Sequence, residues 1–336
     1  MTAGIASLLS EFKLGRPVIS GSGLPGSFDE KAVDCPFVFE HQGRYFMMYV
    51  GFDGIGYQTA LAVSDNLTDW SFHGLILERE RGSAWDSANA AGNWLLKEDR
   101  LDQPPLLKKW RGKYWMVYHS YPGEGYENGP GQIGIAWTED DNLLQWNRSA
   151  EPVLSPFDGN GWEEGGLYKG CLIEHDDRFY LFYNAKNHRP EGQAWTEQTG
   201  LATSTDLIHW ERYEGSPVLQ VSGSGGWDSL FASDPFVVHD GNRWVMYYFG
   251  YNGRHAQEGI AFSDDLLHWS KHEEPIIRHG APGELDEIHA HKPAVLLRDG
   301  VLYHYYCACR PYREGDPSNN NGEFRCITLA ASESLA

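Results

Sequence analysis

Three aspartates and two lysines head five similar segments of this 336-residue chain. The segments are Asp34-Cys35-Pro36-Phe37-Val38-Phe39, Asp102-Gln103-Pro104-Pro105-Leu106-Leu107, Lys169-Gly170-Cys171-Leu172-Ile173, Asp234-Pro235-Phe236-Val237-Val238 and Lys292-Pro293-Ala294-Val295-Leu296, with starts 58 to 68 residues apart. Carboxylates brought to one place are costly unless they are used or neutralised. Two of them can cleave a glycosidic bond: one activates water or attacks the anomeric carbon, and the other protonates the leaving oxygen. The acid of such a pair needs a raised pKa, which a neighbouring carboxylate can supply. Candidates for the acid are Glu163 and Glu164 in Gly161-Trp162-Glu163-Glu164-Gly165-Gly166, Asp234, and the histidines of Glu287-Ile288-His289-Ala290-His291-Lys292-Pro293. Trp162-Glu163 matches Trp227-Asp228 and Leu285-Asp286, so Glu163 reads as a structural element and Glu164 stays a candidate. One histidine alone usually packs structurally, whereas His289 and His291 beside Lys292 read as site residues.

The elements that must position these groups are short strands. A turn recurs as Ser64-Asp65-Asn66-Leu67-Thr68-Asp69-Trp70, Asp140-Asp141-Asn142-Leu143-Leu144-Gln145-Trp146, Ser204-Thr205-Asp206-Leu207-Ile208-His209-Trp210 and Ser263-Asp264-Asp265-Leu266-Leu267-His268-Trp269, with a cut-off fifth copy at Ser332-Glu333-Ser334-Leu335. Each repeat runs through a first strand, a polar turn, an aromatic strand such as Tyr45 to Val50 or Trp244 to Phe249, a third strand into the Asp-Leu-Trp turn, and a short Pro-Val-Leu strand. Alternating apolar residues between turn residues indicate antiparallel β-structure. Four strands per repeat make the blade of a β-propeller. The fifth repeat lacks its last strand, and Arg16-Pro17-Val18-Ile19 copies the missing signature. The expected fold is therefore all-β: one five-bladed propeller domain spanning 1–336, with blades at about 28–80, 85–155, 162–220, 227–279 and 285–336, closed by a strand at 12–20 that pairs with the last blade. Closure hides sheet edges that would otherwise pair with other chains. The recurring Asp and Trp are read as structural.

In such a ring the first strands line the axis. Asp34, Asp102, Lys169, Asp234 and Lys292 are expected at one mouth, with the loops after the second strands around them. Phe52, Trp94, Asn184, Tyr251 and Arg310 are expected to bind substrate with Lys169, Lys292 and His289, because a sugar pocket needs rings and hydrogen-bonding side chains. The net charge of −20, from 27 basic and 47 acidic residues, argues against nucleic acid or an anionic membrane and suits a neutral substrate. Aromatic residues make up 14% of the chain, as a ring-lined cleft would need. Met1 to Lys13 has no basic stretch leading into an apolar run, and no apolar stretch is long enough to span a membrane. Five cysteines without metal spacing fit a reducing compartment, so the cytoplasm is expected. Glycine-rich Gly123-Glu124-Gly125 and Gly223-Ser224-Gly225-Gly226 lack a strand–helix context and read as loops, leaving no nucleotide, flavin or haem motif.

The blade pattern resembles the five-bladed glycosidase superfamily of glycoside hydrolase families 43, 32, 62, 68, 117 and 130, most closely family 43. That resemblance implies a base or nucleophile at Asp34, an orienting carboxylate at Asp102 and a general acid in the third blade. Lys169 stands at the acid's aligned place, which leaves Glu164, Asp234 or His291 to supply the proton. The last is the arrangement of family 117. The resemblance further implies an exo-acting hydrolase of short oligosaccharides that inverts the anomeric centre, with furanosides such as arabinofuranoside among the candidate substrates. A phosphorylase like family 130 and a non-catalytic sugar-binding propeller remain alternatives. No cofactor is required. A calcium ion in the central channel is known for some family 43 members, and the resemblance implies that His289 or His291, with a ring of waters, would hold one here.

Overall fold

The computed structural model describes residues 5–80, 82, 85–187 and 195–335. Its strands fall into five antiparallel groups. The first is Ala32–His41, Arg44–Phe52, Tyr57–Ser64 and Ser71–Leu77, and the second is Ala91–Leu95, Tyr114–Ser120, Gln132–Thr138 and Asn147–Arg148. The third is Gly166–His175, Arg178–Lys186, Glu197–Ser204 and Glu211–Arg212, and the fourth is Phe231–His239, Trp244–Tyr251, Ala256–Ser263 and Ser270–Lys271. The last group has three strands, His289–Arg298, Val301–Pro311 and Glu323–Ala331. The N-terminal segment completes it: Phe12 and Lys13 pair with Ala331 and Ala330, and Ile19 and Ser20 pair with Ile327 and Cys326. Single parallel residue pairs, Glu197 with Phe231 and Ala256 with His289, join the last three groups edge to edge. No helix among the described residues is long and apolar enough to cross a membrane.

The recurring turn is a structural device. Leu67, Leu143, Leu207 and Leu266 adopt left-handed backbone with φ of 60 to 68° and are fully buried. The indole of each following tryptophan donates to that leucine's carbonyl, at 2.7 to 3.2 Å. A second device lies at the outer edge of four groups. A buried acid accepts from a tyrosine hydroxyl and pairs with a cation of the outermost strand: Asp86 with Tyr118 and Arg148, Glu163 with Tyr183 and Arg212, Asp228 with Tyr248 and Lys271, Asp286 with Tyr306 and Lys13. Glu163 is thus the structural element its Trp-acid context implied.

A β-bulge breaks each first strand just after it begins, and it corrects the expected register. Cys35, Lys169, Asp234 and Lys292 have φ of 53, 48, 52 and 66°, so these four occupy equivalent places. Asp34 lies one residue earlier and is equivalent to Tyr168, Ser233 and His291. The side chain that a bulge re-aims is displaced from the strand's normal alternation. Asp102 is also misplaced by the expectation. The second group starts at Ala91, and residues 97–113 make an excursion in which Pro104 and Pro105 offer no N–H to a ladder. Asp102 sits there with its side chain 45% exposed, held by Arg100 at 2.7 Å.

Beyond the bulges, Phe37, Trp94 and Phe236 meet with ring centroids 4.7 to 6.3 Å apart. Trp94 is 1% exposed, so it packs the core instead of touching substrate. Lys97 places its ammonium 5.3 Å from the Trp94 ring and 5.6 Å from the Phe236 ring. Replacing Trp94 by Ala should cost about 3–5 kcal/mol, because three groups lose their shared contact. Urea unfolding of Trp94→Ala measures it, and a change below about 1 kcal/mol would show that the rings do not carry this packing.

Candidate active site

Where the first strands begin, a cavity of about 460 Å³ opens. Asp234, His289, His291, Lys292 and Tyr251 line it, as expected from the sequence. Lys186 comes from one of the loops expected around the mouth, and the rest of the wall was not foreseen: Tyr126, Glu127, Tyr168, Trp195, Glu197 and Arg325 among others. Beneath it a narrow pit of about 10 Å³ is lined by Asp34, Cys35, His119 and Lys169, and shares Glu127, Tyr168 and Lys292 with the cavity.

The bulges bring the floor together from three groups. Lys292 places its ammonium 3.1 Å from Asp234 Oδ2 and 3.9 Å from Asp34 Oδ2. Asn184, on the second strand of the third group, holds Asp234 from behind: its amide donates to Oδ1, and its carbonyl accepts from the Asp234 N–H at 2.6 Å. Asp34 accepts from Arg325 at 2.8 Å, from the Cys307 thiol at 2.8 Å and from the Cys35 N–H at 3.0 Å. Burial alone would raise the Asp34 pKa, but Lys292 and Arg325 outweigh it and hold the carboxyl well below the usual range. Burial lowers His119 to about 3 and His289 to about 4, and it holds His291 well below the usual imidazole range, with Arg325 adding to the effect on both His289 and His291. All three imidazoles are neutral at pH 7. The Nδ1 of His291 lies 3.1 Å from the Cys307 carbonyl, so that nitrogen carries the proton and Nε2 is left as an acceptor.

One wall carries a second pair of carboxylates. Lys186, at the end of the third group's second strand, places Nζ 3.0 Å from Glu127 Oε2 and 3.7 Å from Glu197 Oε1. The gap between those oxygens can therefore be no larger than the sum of the two distances. Glu197 begins the third strand and also accepts from Ser233 at 3.2 Å. Burial pushes its pKa up, only partly offset by Lys186, and the Glu127 charge adds to the rise. Glu127 is also raised by burial, but Lys186 and Lys292 more than reverse this and leave it below the usual range. The Tyr168 ring lies 4.7 Å below the Lys186 ammonium.

Several expected residues stand apart. Glu164 is exposed because Glu163 beside it turns inward to Tyr183 and Arg212, so the next side chain on this turn points out. Arg310 is spent on Asp316, at 2.6 and 2.7 Å, and on the Phe324 ring. Phe52 is buried on the far side of Tyr126, whose ring it meets edge-on at 5.7 Å. Among the described residues no three His, Cys, Asp or Glu side chains gather in a group that could hold a metal ion.

Removing the Arg325 charge as Arg325→Met should destabilise the fold by about 3–5 kcal/mol at pH 7, because Asp34 stays buried and ionised. Asp34 has a depressed native pKa, so its contribution is present at neutral pH and fades as pH falls through that value. The wild-type-to-variant difference should therefore shrink in acid, and a difference that grows in acid would contradict the pairing.

Comparison with known proteins follows the same lines. The family model "Glycosyl hydrolases family 32 N-terminal domain" matches residues 97–287, more than half of the chain. The beta-1,2-mannobiose phosphorylase of Thermoanaerobacter sp. (strain X514) is 30% identical over 135 residues, 37% of this chain and 44% of the relative. The sucrose-6-phosphate hydrolase of Bacillus subtilis (strain 168) is 26% identical over 170 residues, 50% of this chain and 33% of the relative. The chain thus spans less than half the length of these curated relatives. A solved complex of BT0996 with RGII superposes with a TM-score of 0.83 at 29% identity, covering 100% of this chain and 95% of the other. A thermostable family-43 glycoside hydrolase shares the fold with a TM-score of 0.63 at 17% identity, over 96% of this chain and 92% of the other. Its repeat, its site and these matches together make the chain a member of the glycosyl hydrolases family 32 N-terminal domain family.

Proposed function

We propose that the chain is a glycosidase in which Glu197 is the general acid and Glu127 the partner carboxylate, working on a sugar unit held in the cavity. The observation that carries this reading is Lys186 between two carboxyls whose pKa values are displaced in opposite directions. Two titratable groups whose environments separate them in this way divide into acid and base. Asp34 was the base implied by resemblance, but its carboxylate is already engaged by Arg325, Cys307 and the Cys35 N–H, and it lines only the narrow pit. Its suited role, with Asp234, is to fix Lys292 and Arg325 under the sugar.

The five strand groups are read here as five blades of one ring forming a single domain, closed where residues 12–20 pair with the last group. In cleavage, Glu197 gives its proton to the leaving oxygen. Glu127 either attacks the anomeric carbon or activates a water. The bridge through one ammonium favours the retaining separation, roughly 5–5.5 Å, over the inverting one of roughly 6.5–9.5 Å. This departs from the inversion implied by resemblance. Neutral His289 and His291 suit hydroxyl recognition, and His291 is a poor proton donor. Tyr126, Tyr168, Trp195 and Tyr251 offer faces for sugar C–H groups. A cavity walled on several sides suits the end of a short oligosaccharide, and the RGII named with the similar structure makes such an oligosaccharide a candidate substrate.

Two relatives are phosphorylases. Hydrolysis is favoured nevertheless, because Lys186, Lys292 and Arg325 each already face a carboxylate. A phosphate added there would meet Asp34, Glu127, Glu197 and Asp234 as well.

Aryl pyranosides and furanosides of both anomers, supplied with and without phosphate, test this reading. Phosphate-independent release is expected, lowered about 10²–10⁴-fold in folded Glu197→Gln. Undiminished turnover in that variant would remove Glu197 from the chemistry, and release only with phosphate would favour the phosphorylase. The pH–rate profile should fall in acid as Glu127 takes up a proton, and fall again above the ordinary carboxylate range as Glu197 loses its own. A profile that still rises between pH 7 and 9 would contradict the assignment.

A further inference from the structure

The outer-edge device of acid, tyrosine and cation is broken in the first strand group. Phe28-Asp29 stands where the others have Trp85-Asp86, Trp162-Glu163, Trp227-Asp228 and Leu285-Asp286. The backbone of Asp29 keeps the shared geometry: its carbonyl accepts from Ser22 N–H, as that of Asp86 does from Glu80, that of Asp228 from Ser222 and that of Asp286 from Gly280. Two parts of the device are missing: among the described residues Asp29 accepts from serine hydroxyls where the other acids accept from a tyrosine, and the cation is absent. Lys13, Arg148, Arg212 and Lys271 are registered opposite Ala330, Ala136, Ala202 and Ala261. In the first group the residue opposite the equivalent alanine, Ala62, is Phe72. No ammonium or guanidinium among the described residues pairs with Asp29, whose Oδ1 accepts from the Ser22 and Ser27 hydroxyls.

The space so left is a cavity of about 430 Å³, with Asp29 in its wall among Phe28, Tyr49, Trp70 and Phe72. Phe28 lies 6.0 Å from Tyr49 and 5.9 Å from Phe72 by ring centroids. Asp29 is only 8% exposed, while Phe72 at the rim is 60% exposed. A buried carboxylate ringed by aromatic faces attracts a cation twice over, by its charge and by the ring quadrupoles. An anion would be repelled, and a neutral apolar ligand would bury Asp29 unpaired.

We propose that this cavity binds a small alkylammonium compound, whose charged head takes the place of the cation that the other four groups supply from their own chain. The site lies at the outer edge of the first group, away from the carboxylates of the glycosidase reading, and it stands independently of that reading. Its ligand enters past Phe72 with the alkyl stem against Phe28 and Trp70, and sets its ammonium on Asp29.

Isothermal titration with n-butylammonium chloride tests it, with n-butanol and sodium chloride as controls. Saturable one-to-one binding is expected for the wild type and for neither control. Asp29→Asn should weaken it by about tenfold or more. The variant Phe72→Lys restores the repeat's own cation at an exposed position, so it should remain folded, melt higher and lose n-butylammonium binding. Absence of saturable binding at millimolar n-butylammonium, equal binding of n-butanol, or unchanged binding in Phe72→Lys would overturn the proposal.

Discussion

The buried ion cluster of Asp34, Asp234, Lys292 and Arg325 is the constraint on which the site depends. Its members come from the first, fourth and last strand groups, so it joins the two ends of the chain as well as forming the cavity floor. Desolvating four charges costs several kcal/mol per ion, and only close pairing with further hydrogen bonds offsets that. Asn184, the Cys307 thiol and the Cys35 N–H supply those bonds. The bulge makes the arrangement reachable: left-handed backbone at Asp234 and Lys292 turns both side chains off the normal strand alternation and into the cavity. That backbone is unfavourable for residues with a Cβ and persists because the cluster and the aromatic packing beneath it hold the strand there.

Above this floor the proposed chemistry rests on a difference between two similar carboxyls. Glu127 has Lys186 and Lys292 near it, whereas Glu197 is more deeply enclosed, shares Lys186 at a longer distance and feels the charge of Glu127. A single ammonium therefore both holds the pair together and sets which member keeps its proton. The neutral histidines add hydrogen-bonding capacity without adding charge. The acidic excess of the whole chain is carried into the cavity in moderated form, each cation there being matched by a carboxylate.

The parts of the fold that repeat were legible in the chain itself. The Asp-Leu-Trp turn, the strand order within each group and the pairing of residues 12–20 with the last group all follow from copies of one pattern. Asp102 misleads because its spacing from Asp34 and Lys169 is nearly equal, although residues 97–113 are an excursion from the pattern. The register of Asp34 could have been found from Pro36, Pro235 and Pro293, which align Cys35, not Asp34, with Asp234 and Lys292. Glu127, Glu197 and Arg325 had no such signal. They lie on a loop and on third strands where the copies diverge, and divergence from local rules is expected at functional sites. The missing cation at Phe72 was equally hidden, because the acid and its cation are far apart in sequence and meet only through strand pairing.

The order of the two carboxyl pKa values is the centre of this account. It can be measured without a substrate, by ¹³C NMR titration of the glutamate carboxyl carbons, with Glu127→Gln and Glu197→Gln used to assign the two signals. The account predicts that Glu197 titrates above the ordinary glutamate range and Glu127 below it, and that Lys186→Met raises both. A Glu127 that holds its proton to higher pH than Glu197 would reverse the roles and contradict the proposed chemistry.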